Sequence, residues 1–407
     1  MEQLLGIAVL LASGLLFARL CEKFHFPHVT GYLLAGILIG PSVLGLLSGE
    51  VAESLHLIND VALAFIAFSI GSEMNLAKIR SLGSKILLVT IAEALGAFVV
   101  VTLGLVYLFG QSWPFALVLG SIACATAPAA TLMVIRQYQA KGELVDVLIP
   151  VVALDDAVCI IIFGISSSLA NAMLAGEKVS VGSMLVEPVG EILLALAIGA
   201  AVGLLYILIS RMVKSGEETM AVTVAVVFGT TALALALEIS SLLMLMMVGL
   251  TVANLGRSTR HFQEQLDYIT PPIFLCFFVL SGADLKLASL AGVGALGLFY
   301  VGGRVLGKVS GAYFSTVATG FSKPVQRYLG LTLVPQAGVA LGLSAMAQQI
   351  LPAAVGSQIR TIILGATIVY ELVGPFVAKI ALQKAGCIET ASAGQPEEVF
   401  ANASSQG

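Results

Sequence analysis

Charge is what this sequence has least of. Lysine, arginine, aspartate and glutamate together make up 11% of its 407 residues, against about 25% in a soluble domain. Hydrophobic residues make up 58% and recur as long apolar runs from end to end, which excludes a soluble chain with a single anchor. The formal net charge of −4 says little about partners. No basic patch interleaved with aromatics is present, which argues against nucleic acid. Cys21, Cys124, Cys159, Cys276 and Cys387 show no CxxC spacing, so they read as small packing residues and not as a zinc site or a disulfide framework. His25, His28, His56 and His261 are scattered at segment ends without metal-ligand spacing. There is no nucleophile–base arrangement and no phosphate-binding glycine loop, so the chain is not read as an enzyme and no cofactor is expected. No basic stretch or small-residue cleavage site precedes the first apolar run, which is therefore expected to stay as an anchor.

The chain offers instead a series of thirteen apolar segments, at about 3–20, 28–47, 57–74, 85–109, 114–136, 144–171, 184–210, 219–237, 239–256, 262–282, 288–317, 324–349 and 357–383. The expected fold class is an all-α polytopic membrane protein with thirteen transmembrane helices. The basic residues test that count, because cytoplasmic loops are enriched in lysine and arginine. With the N-terminus outside, fifteen fall on the inner side and only Lys178, Lys286 and Arg360 on the outer; Arg304 and Lys308, the remaining two of the twenty, lie inside a segment. The expected topology is thus N-terminus outside and C-terminus cytoplasmic, in a cell (inner) membrane. Residues 1–385 form the transmembrane domain. The polar stretch 386–407 is expected to be a disordered cytoplasmic tail.

Within the sixth segment, Asp155 and Asp156 stand side by side in an otherwise almost wholly apolar run. Counted from Leu144 at about 1.5 Å per residue they lie roughly 17 Å in, near the middle of a hydrocarbon core about 30 Å thick. A carboxylate there costs at least about 2.5 kcal/mol, and such residues mark ion and proton pathways. The alternative is a buried pair tied up with helix ends or basic residues. Adjacent helical residues point about 100° apart, so the two cannot face one cavity equally: one is expected to bind an ion and the other a base, and the residues alone do not say which.

Two segments carry internal breakers, Ala125-Thr126-Ala127-Pro128-Ala129 in the fifth and Leu333-Val334-Pro335-Gln336-Ala337-Gly338 in the twelfth. Proline removes a backbone donor and frees a carbonyl, which must be satisfied by neighbours or by a bound ion. The two segments are seven apart, so they cross in opposite directions, as in an inverted repeat with two broken crossing helices at the midplane. That repeat relates segments 1–6 to 8–13. Few other charges lie deep: Glu93, Arg304, Lys308 and Glu371. Arg304 and Lys308, four apart, share a helix face, and one of them is expected to pair with the aspartates. A lysine so placed competes with an incoming cation for a carboxylate. Glu93 and Glu371 are expected to pair with Arg304. Gly36 with Gly40, and Gly303 with Gly307 and Gly311, are expected to let helices pack closely.

Pro27 and the stretch Gly31-Tyr32-Leu33-Leu34-Ala35-Gly36-Ile37-Leu38-Ile39-Gly40-Pro41, then Gly71-Ser72-Glu73-Met74-Asn75-Leu76, resemble the second and third helices of the cation:proton antiporter superfamily. Asp155-Asp156 resembles its ion-binding motif, and Gly303-Arg304-Val305-Leu306-Gly307-Lys308 and Pro335-Gln336-Ala337-Gly338-Val339-Ala340-Leu341-Gly342 resemble its late core helices. The resemblance runs from about Leu4 to Lys379. It implies the sodium/proton antiporter fold, with a dimerisation subdomain, a mobile core and a homodimer in the bilayer. It also implies elevator-like exchange of Na⁺ or K⁺ for H⁺. By the same resemblance Asp156 is the ligand of the transported cation, Asp155 pairs with Lys308, and Thr126 adds an oxygen at the crossover. Ala127 stands where many relatives place Asp or Ser, which leaves ion selectivity open.

A sodium-coupled symporter of a small organic anion is the alternative, since related inverted-repeat folds carry such substrates. The crossovers offer mainly Thr126, Thr131 and Gln336, which suit a small ion better. A channel would more typically repeat a filter loop, and none is seen.

Overall fold

The computed structural model describes residues 2–47, 54–74, 83–175, 181–213, 215–256, 259–285 and 294–388, with Val51, Leu76, Ala77 and Arg80 between them. The stretch 389–407, which holds most of the expected tail, lies outside the described residues, as do Lys78, Lys178, Lys214, Arg257 and Lys286 of the loop charges.

Fifteen helices are described: α1 (Glu2–Lys23), α2 (His28–Ile39), α3 (His56–Glu73), α4 (Ser84–Tyr107), α5 (Trp113–Ile122), α6 (Pro128–Gln137), α7 (Glu143–Ala175), α8 (Val181–Ser210), α9 (Gly216–Ala236), α10 (Ser241–Leu255), α11 (Thr259–Asp284), α12 (Gly294–Ala318), α13 (Lys323–Thr332), α14 (Gly338–Ile350) and α15 (Ala353–Lys384). Among the described residues, α1, α4, α7, α8, α9 and α15 contain stretches long and apolar enough to cross a membrane by themselves. Two expected segments are split into half-helices, α5 with α6 and α13 with α14. Each break is five residues long, 123–127 and 333–337. The second expected segment is shorter than the apolar run 28–47. Pro41 pushes the residue before it out of the helical region, so Gly40 is extended and α2 ends at Ile39.

The helices pack as two groups. In one, α1, α2, α3, α10 and α11 surround a core that includes Leu33, Phe65, Phe68, Leu245, Phe274 and Val279, with α8 and α9 against α10. In the other, α4, α5, α7, α12, α14 and α15 share a core that includes Val101, Phe115, Leu119, Tyr300 and Ile363, with α13 laid against α12 and α15. The half-helix α6 touches both groups, through α2 and α3 on one side and α15 on the other.

A close approach that bears on the buried charges is between α4 and α12. A Cβ on Gly307 would stand 2.5 Å from the Gly96 carbonyl oxygen, and one on Gly311 would meet the Ala92 carbonyl. Glycine lets these backbones touch, and the contact places Glu93 of α4 opposite Lys308 of α12. Gly36 plays the same part between α2 and α11, against the Val279 carbonyl. Gly303 does not: the nearest atoms to its Cβ position belong to Phe299 of its own helix.

Candidate functional site: a crossover, a closed triad and an open cavity

The two breaks meet. The Ala127 amide donates to the Pro335 carbonyl at 2.9 Å, and Thr131 Oγ1 donates to the Thr332 carbonyl at 3.1 Å. Each half-helix leaves unpaired carbonyls at its C-terminal end, and Arg304 collects them from both. Its Nε donates to the Ala123 carbonyl at 3.0 Å, Nη1 to Val334 at 2.7 Å, and Nη2 to Ala125 at 2.6 Å and, at 3.4 Å each, to Leu333 and Pro335. Gln336 Nε2 donates to the Ile122 carbonyl at 2.9 Å and is held by the Tyr300 hydroxyl at 3.0 Å. A helix C-terminus carries roughly half a negative charge, so two of them together balance about one guanidinium. That is how a fully buried arginine stands at the centre of the bundle without a carboxylate. The expected pairing of Glu93 and Glu371 with Arg304 is therefore corrected: carbonyls occupy the guanidinium, and its Cζ lies over the Tyr370 ring, 4.6 Å from the centroid.

Glu93 instead shares Lys308. The ammonium Nζ lies 2.6 Å from Glu93 Oε2 and 3.1 Å from Asp155 Oδ2, and the three side chains have no exposed surface. In the sequence Glu93 is visible only as a deep carboxylate; its contact with Lys308 depends on the glycine-lined approach of α4 to α12.

Asp156 turns the other way on α7. It lines a cavity of about 250 Å³ with Thr126, Pro128, Pro335, Gly338 and Glu371. Half-helices α6 and α14 begin at this cavity, at Pro128 and Gly338, so their positive N-terminal ends lie on the same cavity as the carboxylate. Asp156 Oδ1, Thr126 Oγ1 and Glu371 Oε2 are buried without a hydrogen-bond partner, and the three residues are 3%, 2% and 6% exposed. A buried unsatisfied polar atom costs about 1–3 kcal/mol, and three such oxygens line this one cavity; Glu93 Oε1 and Asp155 Oδ1 on the triad are also unpartnered. Thr131 and Gln336, the other expected crossover donors, are engaged within the protein.

The cavity reaches Asp60 near the start of α3, Leu235 at the end of α9 and Ser241 at the start of α10, all at one end of the bundle. Toward the other end, Ile70, Leu132, Ile135, Leu148, Ile149 and Val152 of α3, α6 and α7 leave a gap of only about 20 Å³.

A membrane bundle with two broken helices crossed head to head, and buried carboxylates at the crossing, defines a secondary-transporter architecture. The transmembrane model of the sodium/hydrogen exchanger family matches residues 7–384, and the chain belongs to that family, within the cation:proton antiporter superfamily. It is 23% identical to the high-affinity Na(+)/H(+) antiporter NhaS3 of Synechocystis, covering 67% of each chain. To the Na(+)/H(+) antiporter NhaS4 of the same organism it is 25% identical, over 80% of this chain and 83% of that one. The chloroplastic K(+) efflux antiporter 2 of Arabidopsis thaliana is 26% identical over 76% of this chain, which spans 27% of that protein. Among solved structures, the sodium proton antiporter MjNhaP1 of Methanocaldococcus jannaschii has the same fold. Its structure at pH 8 gives a TM-score of 0.70 at 19% identity, covering 95% of this chain and 97% of that one, and its electron-microscopy structure gives 0.75 at 17%, covering 96% and 98%.

Proposed function

We propose that this chain exchanges a monovalent cation, Na⁺ or K⁺, for protons by alternating access, with Asp156 as the residue that binds either one. The observation that carries this reading is the set of unpartnered oxygens on the Asp156 cavity. A hard monovalent cation takes oxygen ligands, and a proton on Asp156 satisfies the same lone pairs. Thr126 supplies a neutral oxygen beside it. Access from one end of the bundle and apolar packing at the other suit a carrier that opens to one side at a time. Lys308 holds Asp155 back from the cavity and fixes the α7–α12 contact against which Asp156 is presented. The names of the relatives, both Na(+)/H(+) and K(+) antiporters, support the exchange and leave the cation open.

The finer architecture belongs to the same proposal. Each split pair counts as one crossing, so fifteen helices give thirteen crossings arranged as an inverted repeat. The N-terminus is outside and the C-terminus cytoplasmic, so the cavity opens outward. Two such chains form a homodimer in the inner membrane. The organic-anion symporter is disfavoured by charge: among the described residues, the ionisable side chains lining the cavity are Asp60, Asp156 and Glu371, all acidic.

The test is dissipation of an imposed pH gradient in proteoliposomes, with Na⁺, K⁺ and Li⁺ added in turn. Cation-dependent proton flux is expected. Its absence with every cation, in protein shown to be folded, overturns the reading.

A further inference from the structure

Glu371 has no part in an exchange that runs through Asp156 alone, yet it is built into the same cavity. It sits mid-way along α15, where Gly374 brings the helix backbone close against Pro335 of the crossover. It is 6% exposed, and its Oε2 has no hydrogen-bond partner. The i+4 residue is Pro375, so the Glu371 carbonyl also lacks the amide that would close its helical turn. A structural carboxylate at this depth is expected to hold a base or a helix N–H. The two fully buried bases among the described residues are engaged elsewhere, Lys308 by Glu93 and Asp155 and Arg304 by the carbonyls of the breaks.

We propose that Glu371 is a second ion-binding carboxylate of the transport cavity, on the same cavity wall as Asp156, taking up a proton or a monovalent cation while Asp156 exchanges its own. The inference rests on the exchange reading. The charged groups around it are Asp156 of α7 and Asp60 of α3 on the cavity wall, and Asp284 at the end of α11, near enough to act on it electrostatically. Arg304 of α12 lies against the ring of the neighbouring Tyr370. The residues of α2, α6 and α14 that line the cavity carry no charge. With Asp284 near enough to act on it and two further carboxylates on the same cavity, Glu371 has reason to hold a cation or a proton whenever the cavity is otherwise empty. One carboxylate can neutralise one monovalent cation. Two carboxylates on one cavity also permit one to be protonated while the other holds the cation.

The experiment uses the full-length protein, as wild type, Glu371→Gln and Glu371→Asp, in proteoliposomes and in detergent. Glu371→Gln keeps the shape and removes the charge. Its KM for Na⁺, or for whichever cation the wild type uses, is expected to rise roughly tenfold with the maximal rate held within about twofold, and the pH profile of transport is expected to lose one ionisation. In detergent, stabilisation of the variant against heat should need roughly tenfold more of that cation. Glu371→Asp, which keeps the charge one methylene further back, should fall between the two. If Glu371→Gln does not fold, a raised KM and a changed pH profile in Glu371→Asp support the proposal. Wild-type KM, pH profile and cation-dependent stabilisation in whichever variant folds would overturn it. A wild type without cation-dependent proton flux would instead defeat the exchange reading.

Discussion

Asp155 and Asp156 are neighbours in the chain and opposites in their surroundings. On one face of α7, Asp155 is locked with Glu93 around Lys308, with no exposed surface on any of the three. On the other, Asp156 looks into a cavity where buried oxygens stand unpartnered. In the first arrangement two carboxylates share one ammonium, each through one oxygen while its other oxygen stays unpartnered; in the second, among the described residues, no basic side chain lines the cavity. A membrane protein can thus put two carboxylates side by side in one apolar helix and give them different surroundings, because one helical step turns a side chain by about 100°.

The contrast predicts unequal consequences. Asp156→Asn should remove cation-dependent proton flux from proteoliposomes down to the background of empty vesicles, while the purified protein elutes as the wild type does. Retained exchange would show that the open face is not the ion site. Arg304→Met should come next, since it strips several carbonyls at the crossover of their donor at about 1–3 kcal/mol for each left unsatisfied. A large drop in the thermal midpoint in detergent is expected, and a wild-type midpoint would mean that the two breaks hold themselves together.

Lys308→Met attacks the closed face. It leaves two buried carboxylates without a counter-charge, a loss of about 3–5 kcal/mol. Combining it with Glu93→Gln and Asp155→Asn should recover most of that stability, measured as the thermal midpoint. No recovery would show that Lys308 acts by more than pairing. Asp155→Asn alone should be mild, with transport reduced about two- to tenfold, because Glu93 still holds the lysine at 2.6 Å. If Asp155→Asn abolishes flux while Asp156→Asn keeps it, the assignment of the two faces is reversed. The smallest effect is expected for Thr126→Val, which removes one neutral oxygen from the open face: a rise of a few fold in the cation KM with little change in maximal rate.

Much of this arrangement is legible in the order of the residues. Apolar runs mark the helices, prolines and glycines mark the two breaks, and charges deep in apolar segments are rare enough for each to signify. Pairing is the part that residue order misplaces. Opposite charges attract, so Glu93 and Glu371 are expected on Arg304, but a pair of helix C-termini can replace a carboxylate, and that requires two breaks to lie against one arginine. Gly303, Gly307 and Gly311 look alike at spacing of four. Only the last two meet another helix's backbone, since the line of contact between α12 and α4 leaves the first behind.

From the residues alone it follows that this chain lives in a membrane, that two of its segments are interrupted, and that its few deep charges include an adjacent aspartate pair. Those properties come from hydrophobicity, from the missing N–H of proline and from the cost of charge in hydrocarbon, all of which are local. Which aspartate is closed and which is open depends on the packing of distant helices. So does the carbonyl ligation of Arg304, and so does the presence of Glu371 on the Asp156 cavity wall, 215 positions further along the chain. The physical reason is that a buried charge takes its role from whatever neighbours neutralise it, and here those neighbours come from helices and breaks far apart in the chain.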